Sequence, residues 1–185
     1  MTAIMKPYLD INAIEATVEA VREQPALGKV TFNMKSRATG GVALETKTGP
    51  IMQNGVPDVS RNAKFTLISD EPVPLLGTDT GVSPAEYALK ALAGCYAVTL
   101  SSLAASRGIQ LDKIEMDLNF DIDLNGFLGI DRSVRNGAQA IRVDVQLESE
   151  GATRDQLNDL VNSLESHSPL HDTFANPVNV SARLV

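Results

Sequence analysis

The hydrophobic and polar positions of the chain follow two spacings, one typical of helices and the other typical of strands. Apolar residues at three- and four-residue steps predict an amphipathic helix from about Asp10 to Gln24, which Pro25 ends. Alternating apolar and polar residues predict strands, the first two of which form a β-hairpin with its turn around Gly40. The predicted strands comprise residues 29–36, 41–48, 63–69, 113–124, 140–149 and 178–184.

A long helix from Ser83 to Arg107 is the central prediction. It follows a loop of residues 70–82 that is rich in Pro, Gly and Asp. Ser83 is suited to cap the helix, Pro84 to occupy its first position, and Glu86 to complete the S-x-x-E capping box. Several faces of this helix are apolar, so we expect it to be largely buried.

Gly94 lies in the middle of this predicted helix, where glycine is unfavourable. Gly94 costs up to about 1 kcal/mol relative to alanine. We expect that cost to be accepted because another helix crosses closely at Gly94 and Cys95.

The last part of the chain contains a second capped helix and an enforced break. The helix starts at Thr153, with Gln156 placed for a capping box, and Pro169 forces a break after His167 and Ser168. Strands in runs, with helices gathered elsewhere, predict an α+β architecture. The length of 185 residues fits one compact domain or at most two small ones, and we expect a single domain, residues 1–185, in which residues 1–26 form a helical extension.

Charge and composition exclude several classes of function. Sixteen Lys and Arg against 23 Asp and Glu give a net charge of -7, which argues against nucleic acid as a partner. No apolar run of about 18 residues is apparent, so no membrane is expected as a partner. The single cysteine cannot form an intrachain disulfide, and the N-terminal residues lack a secretory pattern. We therefore expect a cytoplasmic globular protein.

Metal and cofactor motifs are weak. His167 and His171 have the spacing of a zinc pair, but Pro169 lies between them and the chain has no third histidine. The D-I-D-L-N-G segment at residues 121–126 copies the start of a calcium loop, yet Arg132 stands where that loop needs a bidentate glutamate. Phosphate-binding and dinucleotide fingerprints are missing as well. We expect neither a metal nor another cofactor.

Three side chains are candidates for chemistry. Cys95 is the only strong nucleophile, although free cysteine also serves as inert packing; burial raises the pKa of a thiol and a nearby cation lowers it. Arg37, at the end of the first predicted strand, is placed either to reach a thiolate or to lie solvated at the surface. Glu86 is placed either to orient an activating group or simply to cap its helix.

Two sequence segments together resemble the OsmC/Ohr family of osmotically induced and organic hydroperoxide resistance proteins. The first is G-V-S-P-A-E-Y-A-L-K-A-L-A-G-C-Y-A-V-T-L, followed by R-G-I, and the second is H-S-P-L-H-D-T-F-A-N-P-V-N-V. The resemblance covers roughly residues 77–180 and is nearest to the broad OsmC-like branch with P-x-E before the cysteine. It implies an OsmC-like fold, in which antiparallel sheets pack around long central helices in an intertwined homodimer.

The resemblance also implies a redox activity with a single cysteine. Cys95 matches the family's peroxidatic thiol, whereas Ser168 occupies the position of the resolving cysteine. In the family's peroxidases a glutamate holds the activating arginine. Here Ala85 occupies the position of that glutamate and Val42 lies near the position of the arginine, so Arg37 is a candidate replacement for the arginine.

Two functions follow as hypotheses. The first is thiol-dependent reduction of organic hydroperoxides by Cys95, which an external thiol reductant regenerates. The second is a non-catalytic dimeric protein that holds a hydrophobic small molecule at the dimer interface.

Overall fold

The computed structural model describes residues 6–185, and these residues form two compact units. We call residues 12–87 the N-terminal unit. The C-terminal unit comprises residues 88–185 together with residues 6–11.

The described residues form six α-helices and eight strands. The helices are α1 (Ile11–Glu23), α2 (Pro84–Ser106), α3 (Leu124–Phe127), α4 (Arg154–Asn162), α5 (Leu164–His167) and α6 (Pro169–Ala175). The strands are β1 (Val30–Thr31), β2 (Met34–Gly40), β3 (Ala43–Thr48), β4 (Ile51–Gln53), β5 (Val56–Asp58), β6 (Thr66–Ser69), β7 (Lys113–Asp121) and β8 (Ala140–Glu148). This mixture of helices and antiparallel sheets confirms the α+β prediction.

The predicted hairpin around Gly40 is present as β2 and β3, which pair from Met34–Thr48 to Gly40–Ala43 with a register shift between Ala38 and Gly40. β6 adds to β3 to give a sheet in the order β2-β3-β6. The first predicted strand is interrupted after β1, which pairs with β4 in a separate sheet of order β1-β4-β5. The interruption places the Asn33 carbonyl 2.7 Å from the Gly49 amide, which donates a hydrogen bond to it.

The hairpin of β4 and β5 was not predicted. Its turn is Asn54–Gly55, whose φ angles of 50° and 75° are those of a two-residue turn that matches the twist of the strands. Each strand has only three residues, so alternation could not reveal them. The sequence signal for this hairpin was the Asn-Gly pair, which favours two-residue turns between strands.

The loop before α2 is organised by Asp70, which is only 2% exposed. Its carboxylate accepts hydrogen bonds from the backbone amides of Glu71, Thr78 and Thr80, and from both threonine hydroxyls, at 2.7–3.1 Å. The side-chain hydrogen bond from Thr78, followed by the amide of Thr80, holds the pKa of Asp70 far below its usual value. Gly77 fits tightly here, since a Cβ atom would lie 1.7 Å from the Glu71 carbonyl oxygen.

The start of α2 confirms the predicted capping box. The Ser83 amide donates to a Glu86 carboxylate oxygen at 2.8 Å, and the Glu86 amide donates to Ser83 Oγ at 3.2 Å. The helix ends at Ser106, and Gly108 follows with a φ angle of 67°.

The core of the C-terminal unit is built on α2, the β7–β8 hairpin and α4. β7 and β8 pair in register from Lys113–Glu148 to Asp121–Ala140, and alternate side chains pack inward. α4 begins with the predicted capping box of Thr153 and Gln156. The buried hydrophobic residues are Leu92, Tyr96, Leu100, Ala104, Leu111, Leu160 and Leu164.

One prediction about packing is wrong for the single chain, and another concerns contacts that a single chain does not make. The C-terminal residues 178–184 form no strand, because an alternating segment also needs a neighbouring strand to pair with. Apart from its own helix and chain neighbours, no described residue comes within 4 Å of a Cβ atom built at Gly94, so the predicted helix crossing is not made within one chain and stays a prediction for a dimer.

The prediction that no segment is long and apolar enough to cross a membrane is also wrong. α2 meets that limit by length and composition, since its alanines count as apolar. One such helix is weak evidence for a membrane, because core helices of globular proteins meet the same limit. Five residues of α2 are buried within this protein.

Candidate functional site

Cys95 lies on α2, is half-buried, and contacts Ser168. The Ser168 hydroxyl donates a hydrogen bond to Cys95 Sγ, with 3.2 Å between oxygen and sulfur. Ser168 itself is only 2% exposed. The structure therefore brings together the two residues that the family resemblance assigns to the peroxidatic and resolving positions.

The break at Pro169 explains how Ser168 reaches the sulfur. Ser168 ends α5 and caps α6, and its extended backbone changes the direction of the chain. Its Oγ accepts a hydrogen bond from the backbone amide of His171 at 3.3 Å. Capping uses an oxygen lone pair and leaves the hydroxyl proton for Cys95.

Tyr96 and His171 form a second link between α2 and α6, beside the first. Tyr96 Oη lies 2.6 Å from His171 Nδ1, and the two rings stack with their centroids 6.1 Å apart. Burial raises the pKa of Tyr96, and electrostatic interaction with Cys95 and then Glu165 raises it further. The phenol is therefore protonated at neutral pH, and the tautomer of His171 sets which of the two groups donates.

An open cleft of about 710 Å³ in the C-terminal unit is lined by Tyr96 and His171. Arg135 and Glu165 supply its charged side chains. Apolar side chains make up much of the remaining wall, among them Leu92, Ile141, Val143, Val145, Val161 and Phe174.

Glu86 and Arg37 lie in the N-terminal unit, and each has a partner there. Glu86 is engaged in the capping box, and the hydrogen bonds from the Ser83 amide and then its hydroxyl lower its pKa. Arg37 Nε lies 3.1 Å from a carboxylate oxygen of Glu45, and the Arg37 side chain is 74% exposed. An interaction of either residue with Cys95 stays a prediction.

The two histidines do not share a site. His167 Nδ1 lies 2.9 Å from the Ser163 carbonyl oxygen and 2.9 Å from Ser166 Oγ, whereas His171 pairs with Tyr96. Between residues 6 and 185 there is no group of three or more potential metal-ligating side chains. In the D-I-D-L-N-G segment, Asp123 caps α3.

Sequence reasoning missed the role of Tyr96 and assigned His171 only to a weak metal pair. The available signal was local: Tyr96 follows the cysteine, and His171 stands three residues after the cap of α6. Their pairing joins residues 75 positions apart, so only the tertiary structure brings it to light.

The model of the OsmC-like protein family matches residues 77–183 of this chain, which include all of the residues around Cys95. The chain belongs to the OsmC family. None of the curated proteins matches it significantly.

Solved structures of OsmC-like proteins share the fold at low sequence identity. An OsmC-like protein from Mycoplasma pneumoniae is 16% identical, with a TM-score of 0.60 over 78% of this chain and 87% of that one. An organic hydroperoxide resistance protein from Legionella pneumophila is 15% identical, with a TM-score of 0.55 over 78% and 88%. Another, from Elizabethkingia anophelis, is 18% identical, with a TM-score of 0.52 over 77% and 86%.

Proposed function

We propose that this OsmC-family protein reduces organic hydroperoxides, with Cys95 as its single redox-active residue. The observation that carries the proposal is the hydrogen bond that Ser168 donates to Cys95 Sγ. It occurs at the sulfur that the family resemblance assigns to the chemistry. Two solved relatives are organic hydroperoxide resistance proteins, which agrees with this substrate class.

The reaction begins when the thiolate of Cys95 attacks the outer oxygen of the O–O bond. The S–O bond forms as the O–O bond breaks, so the cysteine becomes a sulfenic acid and the peroxide leaves as an alcohol after it takes up a proton. The hydroxyl of Ser168 cannot form a disulfide. An external thiol therefore condenses with the sulfenic acid and releases water, and a second equivalent reduces the mixed disulfide to the free thiol.

We further propose that the protein acts as a homodimer in the cytoplasm, with Arg37 as the thiolate-stabilising cation. Support for a dimer comes from an open groove of about 510 Å³ along α2, which is lined by Ala93, Gly94, Ala97 and Val98. Val98 is 64% exposed there, and small side chains of this kind permit close helix contacts.

Peroxide consumption by the purified chain tests the proposal. With an alkyl hydroperoxide and dithiothreitol, we expect turnover by the wild type and a loss of at least about a hundredfold in Cys95→Ala. Ser102→Ala, on the same helix, is the matched control and should keep the wild-type rate. A sulfenic acid trapped at Cys95 supports the mechanism, whereas unchanged consumption by Cys95→Ala refutes it.

The cleft supports a second candidate function, the binding of a hydrophobic small molecule without catalysis. Its volume of about 710 Å³ and its apolar wall are those of a small-molecule site. Mass spectrometry of the native protein tests this function. A copurified apolar ligand, together with equal peroxide consumption by wild type and Cys95→Ala, would favour binding over catalysis.

A further inference from the structure

Among residues 6–185, the acceptor that the Ser168 hydroxyl contacts is Cys95 Sγ. The oxygen already accepts the backbone N–H of His171 at 3.3 Å, and Cys95 Sγ lies 3.2 Å away on its other side. With Ser168 only 2% exposed, water has little access to compete for that proton. The sulfur therefore receives a directed and partly desolvated hydrogen bond.

Such a bond discriminates between the two forms of the sulfur. A neutral thiol is a weak acceptor, whereas hydrogen bonds to a charged acceptor are about twice as strong as those between neutral groups. The donated bond therefore stabilises the thiolate more than the thiol, and the thiolate is the nucleophile.

The position of this donor depends on a second bond. α6 has only seven residues and no fully buried side chain, so contacts beyond the packing of Leu170 against the core help to keep it in place. One such contact is the 2.6 Å hydrogen bond between Tyr96 Oη and His171 Nδ1, supported by the stacking of the two rings. Tyr96 directly follows Cys95, and His171 lies three residues after Ser168, so the two helices are joined at two adjacent points.

We propose that Ser168 is a catalytic residue whose hydroxyl stabilises negative charge on Cys95 Sγ, and that Tyr96 and His171 are positioning residues for that hydroxyl. The proposal rests on the proposed function of Cys95 as the nucleophile. Under this proposal Ser168 stabilises the thiolate, whereas the family resemblance assigns a resolving thiol to the same position.

Alkylation of the single thiol tests the proposal without any peroxide. Iodoacetamide at pH 7 reacts with the thiolate, and mass spectrometry of the full chain measures the rate. We expect Ser168→Ala to react at least about tenfold more slowly than wild type, and Ser168→Thr to recover most of the lost rate. The thiolate absorbance near 240 nm, taken relative to Cys95→Ala, should change in parallel.

Ser168→Gly separates loss of the donor from loss of the helix cap. Glycine is accepted as a cap at a cost of a few tenths of a kcal/mol relative to serine, so α6 should remain folded. We expect this variant to be as slow as Ser168→Ala. Circular dichroism checks that each variant is folded.

Tyr96→Phe tests the positioning role, because it removes only the phenol oxygen. We expect alkylation to slow by about threefold or more, a smaller loss than in Ser168→Ala, because the donor itself remains. Tyr87→Phe is the matched control: Tyr87 lies on the same helix and its hydroxyl donates to the Ile68 carbonyl at 2.8 Å. Ser166→Ala is the control for Ser168, since the Ser166 hydroxyl contacts Ser163 and His167.

The catalytic role is refuted if folded Ser168→Ala and Ser168→Gly alkylate at the wild-type rate, or if Ser166→Ala slows the reaction equally. A wild-type rate in Tyr96→Phe refutes the positioning role. Slow alkylation in the Ser168 variants, with no peroxide turnover by wild type, supports the hydroxyl's effect on the sulfur and overturns only the proposed function.

Discussion

At the scale of single residues, the contact between Cys95 and Ser168 decides which oxidation products the chain can form. Because Ser168 Oγ lies 3.2 Å from the sulfur, a thiol at that position is close enough to form a disulfide. We expect Ser168→Cys treated with one equivalent of alkyl hydroperoxide to form an intramolecular disulfide with release of water. Mass spectrometry should show the loss of two hydrogen atoms.

The control for this variant is Ser166→Cys, which places a thiol two residues away at the exposed end of α5. It should keep separate thiols or form mixed disulfides. If both variants form an internal disulfide equally fast, the Cys95–Ser168 contact is not the reason for the reaction.

A second prediction at this scale concerns Asp70. Asparagine keeps the shape of the side chain but replaces one acceptor oxygen with a donor that faces other donors. We expect Asp70→Asn to lower the Tm at pH 7 by about 5 °C or more. Asp79→Asn is the control, because Asp79 is exposed in the same loop and asparagine tolerates its φ angle of 56°.

The Asp70 effect should depend on pH in one direction. The pKa of Asp70 in the folded protein lies below its unfolded value of about 3.9, so its contribution to stability is full above that pH. Below about pH 4 the unfolded chain takes up the proton first, and the contribution declines. Thermal unfolding should therefore show a smaller Tm difference between wild type and Asp70→Asn at pH 3 than at pH 7. A constant difference would contradict the assignment.

At the scale of secondary-structure elements, α4 is a short helix that depends on one buried contact as well as on its capping box. Leu160 is fully buried in the core of the C-terminal unit. We expect Leu160→Ala to lower the free energy of unfolding by about 2–5 kcal/mol, since it leaves a cavity. Asn158→Ala, exposed on the same helix, should stay within about 0.5 kcal/mol of wild type. Chemical denaturation measures both, and equal losses would contradict the assignment of Leu160 to the core.

At the scale of the whole molecule, Gly94 distinguishes a single chain from a dimer. In one chain its surroundings are open, so Gly94→Leu should fit and improve helix propensity. If two copies pack along the groove beside Gly94, the added side chain separates them. We expect wild type to sediment at about twice the 19.8 kDa mass of one chain and Gly94→Leu to sediment as a folded monomer. A dimeric Gly94→Leu would place the interface elsewhere.

Whether a feature could be predicted depended mainly on how far apart in the sequence its residues lie. The capping boxes at Ser83 and Thr153 and the break at Pro169 involve residues within a few positions of one another, and all three were predicted. The Asn54–Gly55 turn is equally local, but its two strands are too short to show the alternation that predicts a hairpin. Residues 178–184 have the right alternation, yet a strand also needs a partner, and alternation says nothing about one.

The sequence by itself determined the family, the α+β class, the starts of the main helices and the one residue able to act as a nucleophile. These features depend on local backbone preferences and on residue identity, which the chain carries at every position. Only the tertiary structure decided that Ser168 caps one helix while donating to the sulfur of another, and that Tyr96 anchors His171 beside it. Hydrogen bonds across more than 70 residues depend on the folding of the chain between their ends, and no local pattern records them.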